Sequence, residues 1–346
     1  MAKEIKKSNP PTIIDVARES GVSYSTVSRA LNGYEFVKPS TRDKVMRAAQ
    51  KLGYVPNQQA RSLAGGRSNL IGILVPGLDN GYITEIIRGI DEELAKSDYN
   101  LILYTTHRHH GRESTYVASI MNGAADGLLL IVPLISHDYV DALYQQNFPF
   151  VLIDQSDTSG KSSIVNATNW QGAYDATQYL IKLGHRRIGF ITGLMELNSA
   201  IDRLKGYEAA LVEHRIPVEA ELIVTGDFWE RGGYVATQQL LDLKTPPTAI
   251  VASNDLLAFG AMDAVRQRGL HIPKDISLVG FDDIPQASLV YPPLTTVRQP
   301  LDKMGRLAVK MLLEHVGNPD FEPYTATLAT ELIIRDSCQS PYTDDK

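Results

Sequence analysis

Residues 12–33, with the sequence TIIDVARESGVSYSTVSRALNG, carry the pattern that decides how the start of the chain folds. Thr12 can cap a first helix, because Asp15 stands three residues later in the reciprocal capping position. Gly21 allows the positive φ angle that a tight turn needs, and Ser23 can cap a second helix. The stretch therefore predicts two short helices separated by a tight turn.

The second predicted helix has one apolar face, formed by Val27, Ala30 and Leu31, and one polar face. The outward side chains near its start are Tyr24, Ser25, Ser28 and Arg29. A helix that enters the major groove of DNA reads base edges with its first turns, and arginine can bind guanine through two hydrogen bonds. The same spacing also fits an ordinary helical hairpin with a solvated face, so both interpretations stay open on this stretch alone.

A third helix is predicted over residues 41–52, because residues 40–43 repeat a capping signature and Gly53 can end the helix. Residues 58–66 follow as a linker that could be helical but is too short to hold a helix alone. Residues 1–11 are polar and basic, and we expect them to form a disordered arm.

With these elements in place, the chain resembles the lactose-repressor (LacI/GalR) family of bacterial transcription regulators. The resemblance covers about residues 12–336 without a large gap. The matching motifs are DVARESGVSYSTVSRALNG (15–33), VKPSTRDKV (37–45), LGYVPNQQARSLAGG (52–66), LIGILVP (70–76) and GFDD (280–283).

The resemblance implies a helix-turn-helix head and a hinge helix that folds on DNA and wedges a leucine into the minor groove. Leu63 occupies that leucine position. One short helix covers too few base pairs for tight binding, so we expect a homodimer on near-palindromic double-stranded operator DNA. The DNA-contacting residues implied are Thr12, Ile14, Ser23, Tyr24, Ser25, Arg29, Asn32, Tyr54, Asn57, Leu63 and Ala64.

The charge of the chain is divided unevenly. Residues 1–67 contain 12 Lys and Arg against 5 Asp and Glu, a net +7, whereas the remainder has 22 against 35, a net −13. A basic head on an acidic body indicates that only the head contacts nucleic acid. The single cysteine, Cys338, excludes an internal disulfide. Since no signal-peptide or membrane-spanning apolar run occurs, we expect a cytoplasmic protein with no membrane partner.

From Leu70 onward, strand and helix patterns alternate, which predicts two mostly parallel sheets covered on both faces. Expected helices cover residues 83–97, 112–122, 139–146, 200–214, 231–243, 255–268 and 301–316, and a last strand covers about 327–335. The segments IIRGIDEEL (86–94) and RLKGYEAAL (203–211) resemble each other, which indicates an internal duplication.

The predicted fold class is therefore α/β. It combines a small all-α helix-turn-helix head and hinge helix with two doubly wound parallel-sheet lobes of periplasmic-binding-protein type. The predicted segments are the arm (1–11), head (12–57), hinge (58–66), effector-binding core (67–336) and tail (337–346). Within the core, the N-lobe comprises about 69–166 plus 301–327, and the C-lobe about 167–298 plus 328–336.

Polar and aromatic side chains follow the carboxyl ends of the predicted strands, where open α/β sheets bind ligands. They are Asp79, Tyr82, Asp154, Arg203, Phe228, Asn254 and Asp282. Carboxylates, an amide, a guanidinium and aromatic rings suit a hydroxylated effector such as a sugar.

The resemblance implies effector contacts by Arg203, Asn254 and Asp282, with Phe228 as the usual aromatic residue. Residues that align with further pocket positions are Asn166, Gln299 and Leu301. We expect Asp255 and Asp283 to be mainly structural, with Asp283 capping a helix. The family pattern Asn-Pro-Phe-Phe is replaced here by Asn80-Gly81-Tyr82-Ile83, which predicts a different N-lobe wall.

Two other classes of protein compete with a repressor. Asp154 and Asp282 could act as acid and base in a glycosidase, but the chain lacks the catalytic and phosphate-binding motifs that would support an enzyme. A periplasmic sugar-binding protein would lack the basic head. The histidines at 107, 109 and 110 have no carboxylate at ligand spacing. We therefore predict a repressor controlled by a small-molecule effector, with no catalytic residues, cofactor or metal.

Overall fold

The structure, a computed structural model, divides into two compact units, residues 1–68 and 69–346. The residues that it describes are 11–31, 34, 36–54, 67–78, 80–107, 109–133, 137–157, 159–318 and 320–341. The predicted hinge and all of the predicted basic arm except Pro11 lie outside these residues.

The described part of the first unit contains three helices, α1 (Ile13–Ser20), α2 (Tyr24–Leu31) and α3 (Pro39–Leu52). The Thr12 hydroxyl accepts a hydrogen bond from the Asp15 amide, and the Thr12 amide donates to the Asp15 carboxylate at 2.9 Å. Gly21 has φ +68° in the turn before α2. These features confirm the predicted helix-turn-helix. Its buried side chains are Val16, Val27, Ala30, Val45, Ala48 and Ala49.

The third helix begins at Pro39, two residues before the predicted start, and no side chain caps it. Proline suits the first position of a helix, because its φ is already helical and its missing N–H would have no partner there. The capping interpretation of residues 40–43 is therefore wrong.

The second unit has two lobes, each built around a six-stranded sheet. The N-lobe begins with β1 (Leu70–Val75), α4 (Gly81–Leu94), β2 (Asn100–Thr105), α5 (His110–Ser119), a π-helical turn (Ile120–Ala124), β3 (Gly127–Ile131), α6 (His137–Gln145), β4 (Phe150–Ile153) and β5 (Ser163–Ala167). The C-lobe continues with α7 (Asn169–Lys182), β6 (Ile188–Ile191), α8 (Asn198–Glu213), β7 (Ile223–Val224), α9 (Glu230–Leu241), β8 (Ala249–Ala252), α10 (Asp255–Gln267), β9 (Ser277–Asp282) and β10 (Thr295–Arg298).

The chain end contributes one helix and two strands, which are divided between the lobes. They are α11 (Leu301–Gly317), β11 (Thr325–Leu328) and β12 (Glu331–Ile333). The N-lobe sheet has the order β11-β5-β4-β3-β1-β2 and is parallel. The C-lobe sheet has the order β12-β10-β9-β8-β6-β7, in which β12 is antiparallel to β10. The predicted doubly wound fold class is confirmed.

Several predicted boundaries in the second unit are wrong. The expected last strand over 327–335 is two short strands in different sheets, and β5, α7 and β10 were not predicted. The N-lobe strands β5 and β11 end at Ala167 and Leu328, next to the approximate N-lobe ends predicted at 166 and 327. The expected tail also begins too early, since the buried Ser337 hydroxyl accepts from Thr295 N and donates to Leu278 O. Among the described residues, no helix is both long and apolar enough to cross a bilayer.

The chain passes between the lobes near residues 168, 299–300 and 329–330. Two of these crossings are joined directly, because Thr330 N donates to the Thr168 hydroxyl at 2.9 Å and the two threonine hydroxyls are also 2.9 Å apart. The third crossing is bound to the end of β9, where Gln299 N donates to Asp282 O at 3.2 Å.

The sequence similarity between residues 86–94 and 203–211 reflects a close helix crossing at a glycine in each lobe. A Cβ atom added at Gly89 would stand 2.0 Å from Asp302 O of α11, and one added at Gly206 would stand 2.2 Å from Trp170 O of α7. The two glycines thus allow equivalent close crossings, α4 on α11 and α8 on α7. Gly305 of α11 completes the first crossing, since its Cβ would lie 2.2 Å from Ile86 O.

Replacing Gly305 with alanine should destabilise the fold, although alanine is the better helix former by about 1 kcal/mol. The clash with backbone must move one helix, and overpacking of this kind costs about 1–3 kcal/mol. Gly317→Ala at the end of the same helix is the matched control, because no atom lies within 4 Å of its added Cβ. Urea unfolding of both variants measures the difference, and equal midpoints would contradict the close crossing.

Candidate functional site

The outer face of α2 is exposed near the start of the helix. Tyr24 is 57% exposed, and Ser25 and Arg29 are exposed beside it. The Ser23 hydroxyl accepts from Thr26 N at 3.3 Å, which caps the helix as predicted. This face therefore presents a ring, hydroxyls and a guanidinium to solvent.

The remaining predicted DNA contacts are more scattered. Ile14 is 59% exposed, and Thr12 is exposed at the start of α1 with its hydroxyl in the capping box. Tyr54 is half-buried against the core of the head. Four predicted contacts lie outside the described residues: Asn32, Asn57, Leu63 and Ala64.

A cavity of about 40 Å³ opens at the carboxyl ends of both sheets, between the lobes. Its walls combine apolar and polar side chains, namely Pro76, Asn80, Tyr82, Ile83, Val132, Asp154, Leu197, Ser199, Arg203, Phe228, Asn254 and Asp282.

A chain of buried hydrogen bonds crosses from one lobe to the other along this cavity. The Tyr82 hydroxyl donates to Asp154 Oδ2 at 2.9 Å, and Asn169 Nδ2 donates to Asp154 Oδ1 at 3.1 Å. Arg203 Nε then donates to Asn169 Oδ1 at 2.8 Å. The neutral Asn169 thereby connects an N-lobe carboxylate to a C-lobe guanidinium.

The Arg203 guanidinium is 2% exposed and held on several sides. Its Nη1 donates to Ser253 O and lies 3.7 Å from Asp282 Oδ1. Its central carbon stands 3.9 Å from the centre of the Phe281 ring, within cation–π distance. Gln299 Nε2 donates to the same Asp282 oxygen at 2.8 Å.

Burial dominates the ionisation of the acidic groups here. It raises the pKa of Asp282 to about 7, although the nearby Arg203 and Gln299 act to lower it. Behind this residue, burial and then the charge of Asp282 raise the pKa of Asp255 well above its usual range. Burial also raises the pKa of Tyr82, so its hydroxyl remains a hydrogen-bond donor at neutral pH.

Four residues that line the cavity have left-handed backbone, with φ of 46° at Val132, 54° at Asp154, 69° at Phe228 and 114° at Asp282. Each such conformation costs about 1–3 kcal/mol in a residue other than glycine, and such residues cluster at functional sites. The surrounding sheets hold these strand ends so that their side chains reach the cavity.

The structure brings most of the predicted effector residues together. Those that line the cavity are Tyr82, Asp154, Arg203, Phe228, Asn254 and Asp282. Gln299 supports Asp282 from behind, whereas Asn166 and Leu301 are not among the lining residues. Asp79 lies outside the described residues. Asn254 also caps α10, because its side-chain oxygen accepts a hydrogen bond from Leu257 N at 2.9 Å. It therefore both caps a helix and lines the cavity.

Two supporting residues were missed or misassigned from the sequence. Asn169 was missed because β5 just before it was not recognised, and a strand end there would have pointed to it. Asp283 was expected to cap a helix, but it accepts instead from Arg298 Nε at 2.7 Å and Arg335 Nη2 at 2.6 Å. Asp255 is structural as expected, since it accepts from Ile284 N and the Thr296 hydroxyl.

The first residues of α8 hold the two lobes together at the edge of the cavity. Leu197 is 1% exposed and packs in the N-lobe core. Asn198 Nδ2 donates to Gln155 Oε1 at 2.8 Å, and Gln155 Nε2 donates to Pro133 O at 3.0 Å. Since α8 also carries Arg203, closure of the lobes and the position of this guanidinium are mechanically connected.

Comparison with known proteins shows the family. A family model described as Bacterial regulatory proteins, lacI family, matches residues 12–57, and one described as Periplasmic binding protein-like domain matches residues 177–338. The ribose operon repressor of Haemophilus influenzae is 37% identical over 329 residues, covering 95% of this chain and 99% of that protein.

Two solved structures match this chain over nearly all of their own length. The lac repressor dimer bound to operator and the anti-inducer ONPF has a TM-score of 0.83 and 30% identity, covering 96% of this chain and all of that one. A LacI family transcriptional regulator from Enterococcus faecium with bound ribose has a TM-score of 0.72 and 30% identity, covering 78% and 99%. This chain belongs to the lacI family of bacterial regulatory proteins and is a DNA-binding transcriptional repressor rather than an enzyme.

Proposed function

We propose that this repressor binds a near-palindromic operator as a homodimer in the cytoplasm, and that a sugar in the cavity between its lobes sets its operator affinity. The observation that carries the effector assignment is the composition of the cavity. Asp154 and Asp282 can accept from hydroxyls, Arg203 can donate to them, and the Phe228 ring can cover an apolar sugar face.

Two compared proteins support this choice of ligand class. The Haemophilus influenzae relative is named for the ribose operon, and the Enterococcus faecium structure contains ribose. D-Ribose is therefore the first candidate to test. Because the lining residues come from both lobes, an effector that contacts all of them favours one arrangement of the lobes over others, which is how binding can alter DNA affinity.

For the head, we propose that Tyr24, Ser25 and Arg29 contact base edges in the major groove. Their exposure on the first turns of α2 supports this assignment. We assign supporting DNA contacts to Thr12, Ile14, Ser23, Asn32, Tyr54, Asn57, Leu63 and Ala64. Leu63 would act as the minor-groove wedge of the hinge.

An apolar patch beside α10 supports the proposed homodimer. Leu289 is 80% exposed and Tyr291 is 92% exposed. Tyr291 lines a groove with the apolar Phe259, Met262 and Val290, whose other lining residues include the charged Glu230, Asp263 and Arg266. Exposed apolar side chains in one continuous patch indicate an interaction surface. We assign this patch to a second copy of the chain, because the matching lac repressor structure is a dimer.

Replacing Arg29 with alanine should relax sequence preference at one base pair of the operator half-site, because a lost bidentate contact costs about 1–3 kcal/mol of discrimination. Lys44→Ala, on the exposed side of α3, is the control. It should leave the preferred sequence unchanged. Binding-site selection with both variants provides the measurement, and an unchanged preference in the Arg29 variant would exclude its base-reading role.

Replacing Arg203 with methionine should abolish the response of operator binding to the effector, while operator binding itself persists. The side chain lines the cavity, and its loss also leaves Asp282 without its nearest cation. Arg298→Met is matched in chemistry but lies outside the cavity, pairing with Asp283. Calorimetry with each sugar tests both, and normal effector affinity in Arg203→Met would mean that the effector binds elsewhere.

Replacing Tyr291 with glutamate should weaken the homodimer at least tenfold, because it introduces a charge into the apolar patch. Val212→Glu is the control, since Val212 is 65% exposed on α8 away from this patch. Sedimentation velocity over a range of micromolar concentrations should show more monomer for the first variant only. Identical profiles for the two variants would exclude the patch as the dimer contact.

A further inference from the structure

We propose that the cavity between the lobes accepts uncharged polyhydroxylated ligands and rejects anionic ones, such as sugar phosphates and uronates, with Asp154 as the residue that enforces the rejection. This inference rests on the proposed effector site and specifies the chemical class of its ligand. It concerns which form of a sugar the repressor senses, which neither the fold nor the comparisons assign.

The lining residues carry an excess of negative charge. Among the described residues around the cavity, Asp154 and Asp282 are acidic and Arg203 is the one basic residue. Asp154 and Asp282 are each 4% exposed, so solvent screens their charges poorly, but burial raises the pKa of Asp282 to about 7 and leaves it only partly ionised at neutral pH. Asp255 next to Asp282 and Asp202 near Asp154 lie close behind the wall, and burial raises the pKa of both, which reduces the charge that they add.

Among the described residues of the cavity wall, Arg203 supplies the one guanidinium, and two of its three nitrogens already donate to the protein. Its Nε binds Asn169 and its Nη1 binds Ser253 O, while Asp282 Oδ1 lies 3.7 Å away. Among the described contacts of Arg203, Nη2 alone has no protein acceptor. An arginine engaged in this way can donate to one or two ligand hydroxyls, but it cannot offer a phosphate the free bidentate fork that strong binding uses.

Helix N-termini could oppose this charge, because their free amides attract anions. In two of the helices that start at the cavity, one of these amides is capped. Asn80 Oδ1 accepts from Ile83 N at 3.1 Å in α4, and Asn254 Oδ1 accepts from Leu257 N at 2.9 Å in α10. The start of α8 has no side-chain cap, but Asp202 lies in its second turn. The carboxylate of Asp154 is therefore the main charge that an anionic ligand meets.

The acidic oxygens also require hydrogen-bond donors from the ligand. Each Asp154 oxygen accepts one protein hydrogen bond, from Tyr82 or from Asn169, and each retains a second lone pair. Asp282 Oδ2 has no hydrogen-bond partner among the described residues, whereas Asp282 Oδ1 has Gln299. Hydroxyl groups can donate to these oxygens and accept from Arg203. An anionic group cannot donate, and an ammonium group cannot accept.

A repressor with this selectivity senses a sugar before it is phosphorylated or oxidised to a uronate. The reaction that consumes its effector would therefore belong to the class that transfers a phosphoryl group to a sugar hydroxyl or oxidises the sugar. The product of either reaction carries a negative charge and would no longer bind in the cavity.

The test uses the full-length protein and matched sets of ligands that differ in charge. The sets are D-ribose with ribose 5-phosphate, D-glucose with glucose 6-phosphate and glucuronate, and D-galactose with galacturonate. Thermal midpoints measure binding, since a ligand that binds only the folded state raises the midpoint. Operator affinity in the presence of each ligand is measured separately at one salt concentration.

At least one neutral sugar should raise the midpoint, and its anionic counterparts should not. The inference is overturned if no neutral sugar binds, or if any anionic member binds more tightly than its neutral counterpart. The two proposals can fail separately. An anionic ligand that binds and alters operator affinity would overturn only the charge selectivity, whereas tight sugar binding without any change in operator affinity would overturn only the proposed function.

Asp154→Asn tests the source of the rejection. The amide has the shape of the carboxylate and can keep hydrogen bonds to Tyr82 and Asn169, but it removes one negative charge. The ratio of the anionic-ligand Kd to the neutral-ligand Kd should fall about tenfold or more. Glu196→Gln, at an exposed position just before α8, is the control and should leave this ratio unchanged. An equal ratio in Asp154→Asn and the native protein would overturn the role of Asp154.

Discussion

Asn169 joins two buried groups of opposite charge that belong to different lobes, and the geometry of the cleft depends on this connection. Its amide nitrogen donates to Asp154 and its amide oxygen accepts from Arg203. A buried charge without a partner is costly, so each ion requires the amide to stay in place. Asp154, Asn169 and Arg203 therefore connect the two lobes, and Asp154 and Arg203 also line the cavity that a ligand would enter.

This arrangement explains why a neutral side chain stands at the centre of a charged site. A direct contact between Asp154 and Arg203 would satisfy both charges and leave little for a ligand to bind. With Asn169 between them, each group keeps hydrogen-bonding capacity toward the cavity. The protein holds the polar groups of the site in place, and part of their hydrogen-bonding capacity remains available to a ligand.

Much of the fold could be predicted from the sequence where one strong local signal decided the structure. The capping pair Thr12 and Asp15, the turn at Gly21 and the continuous apolar runs of β1, β3 and β4 are signals of this kind. The strand end at Asp154 followed from the run of β4, and those at Phe228 and Asp282 followed from the segments that contain β7 and β9, which is why most cavity residues could be named in advance.

The remaining features depend on contacts between distant segments. β5 contains Ser163 and Asn166 and lacks a continuous apolar run, so its assignment depends on pairing with β4 and β11. The left-handed backbone of Val132 and Phe228 has no local signal, because these residues disfavour it and only the surrounding structure imposes it. Likewise, the burial of Ser337 depends on Thr295 and Leu278, which are far away in the sequence.

The three passages of the chain between the lobes limit how the lobes can move. One rigid body attached to another at a single point can turn in any direction, whereas three short attachments leave little more than bending about one axis. The hydrogen bonds between Thr168 and Thr330 further join two of these attachments into a single strap. The cleft can therefore open and close like a clam shell, but twisting or sliding would strain the strap. Because the lobes turn about one axis, a small change in the angle between the lobes at the cavity becomes a larger displacement at points farther from that axis.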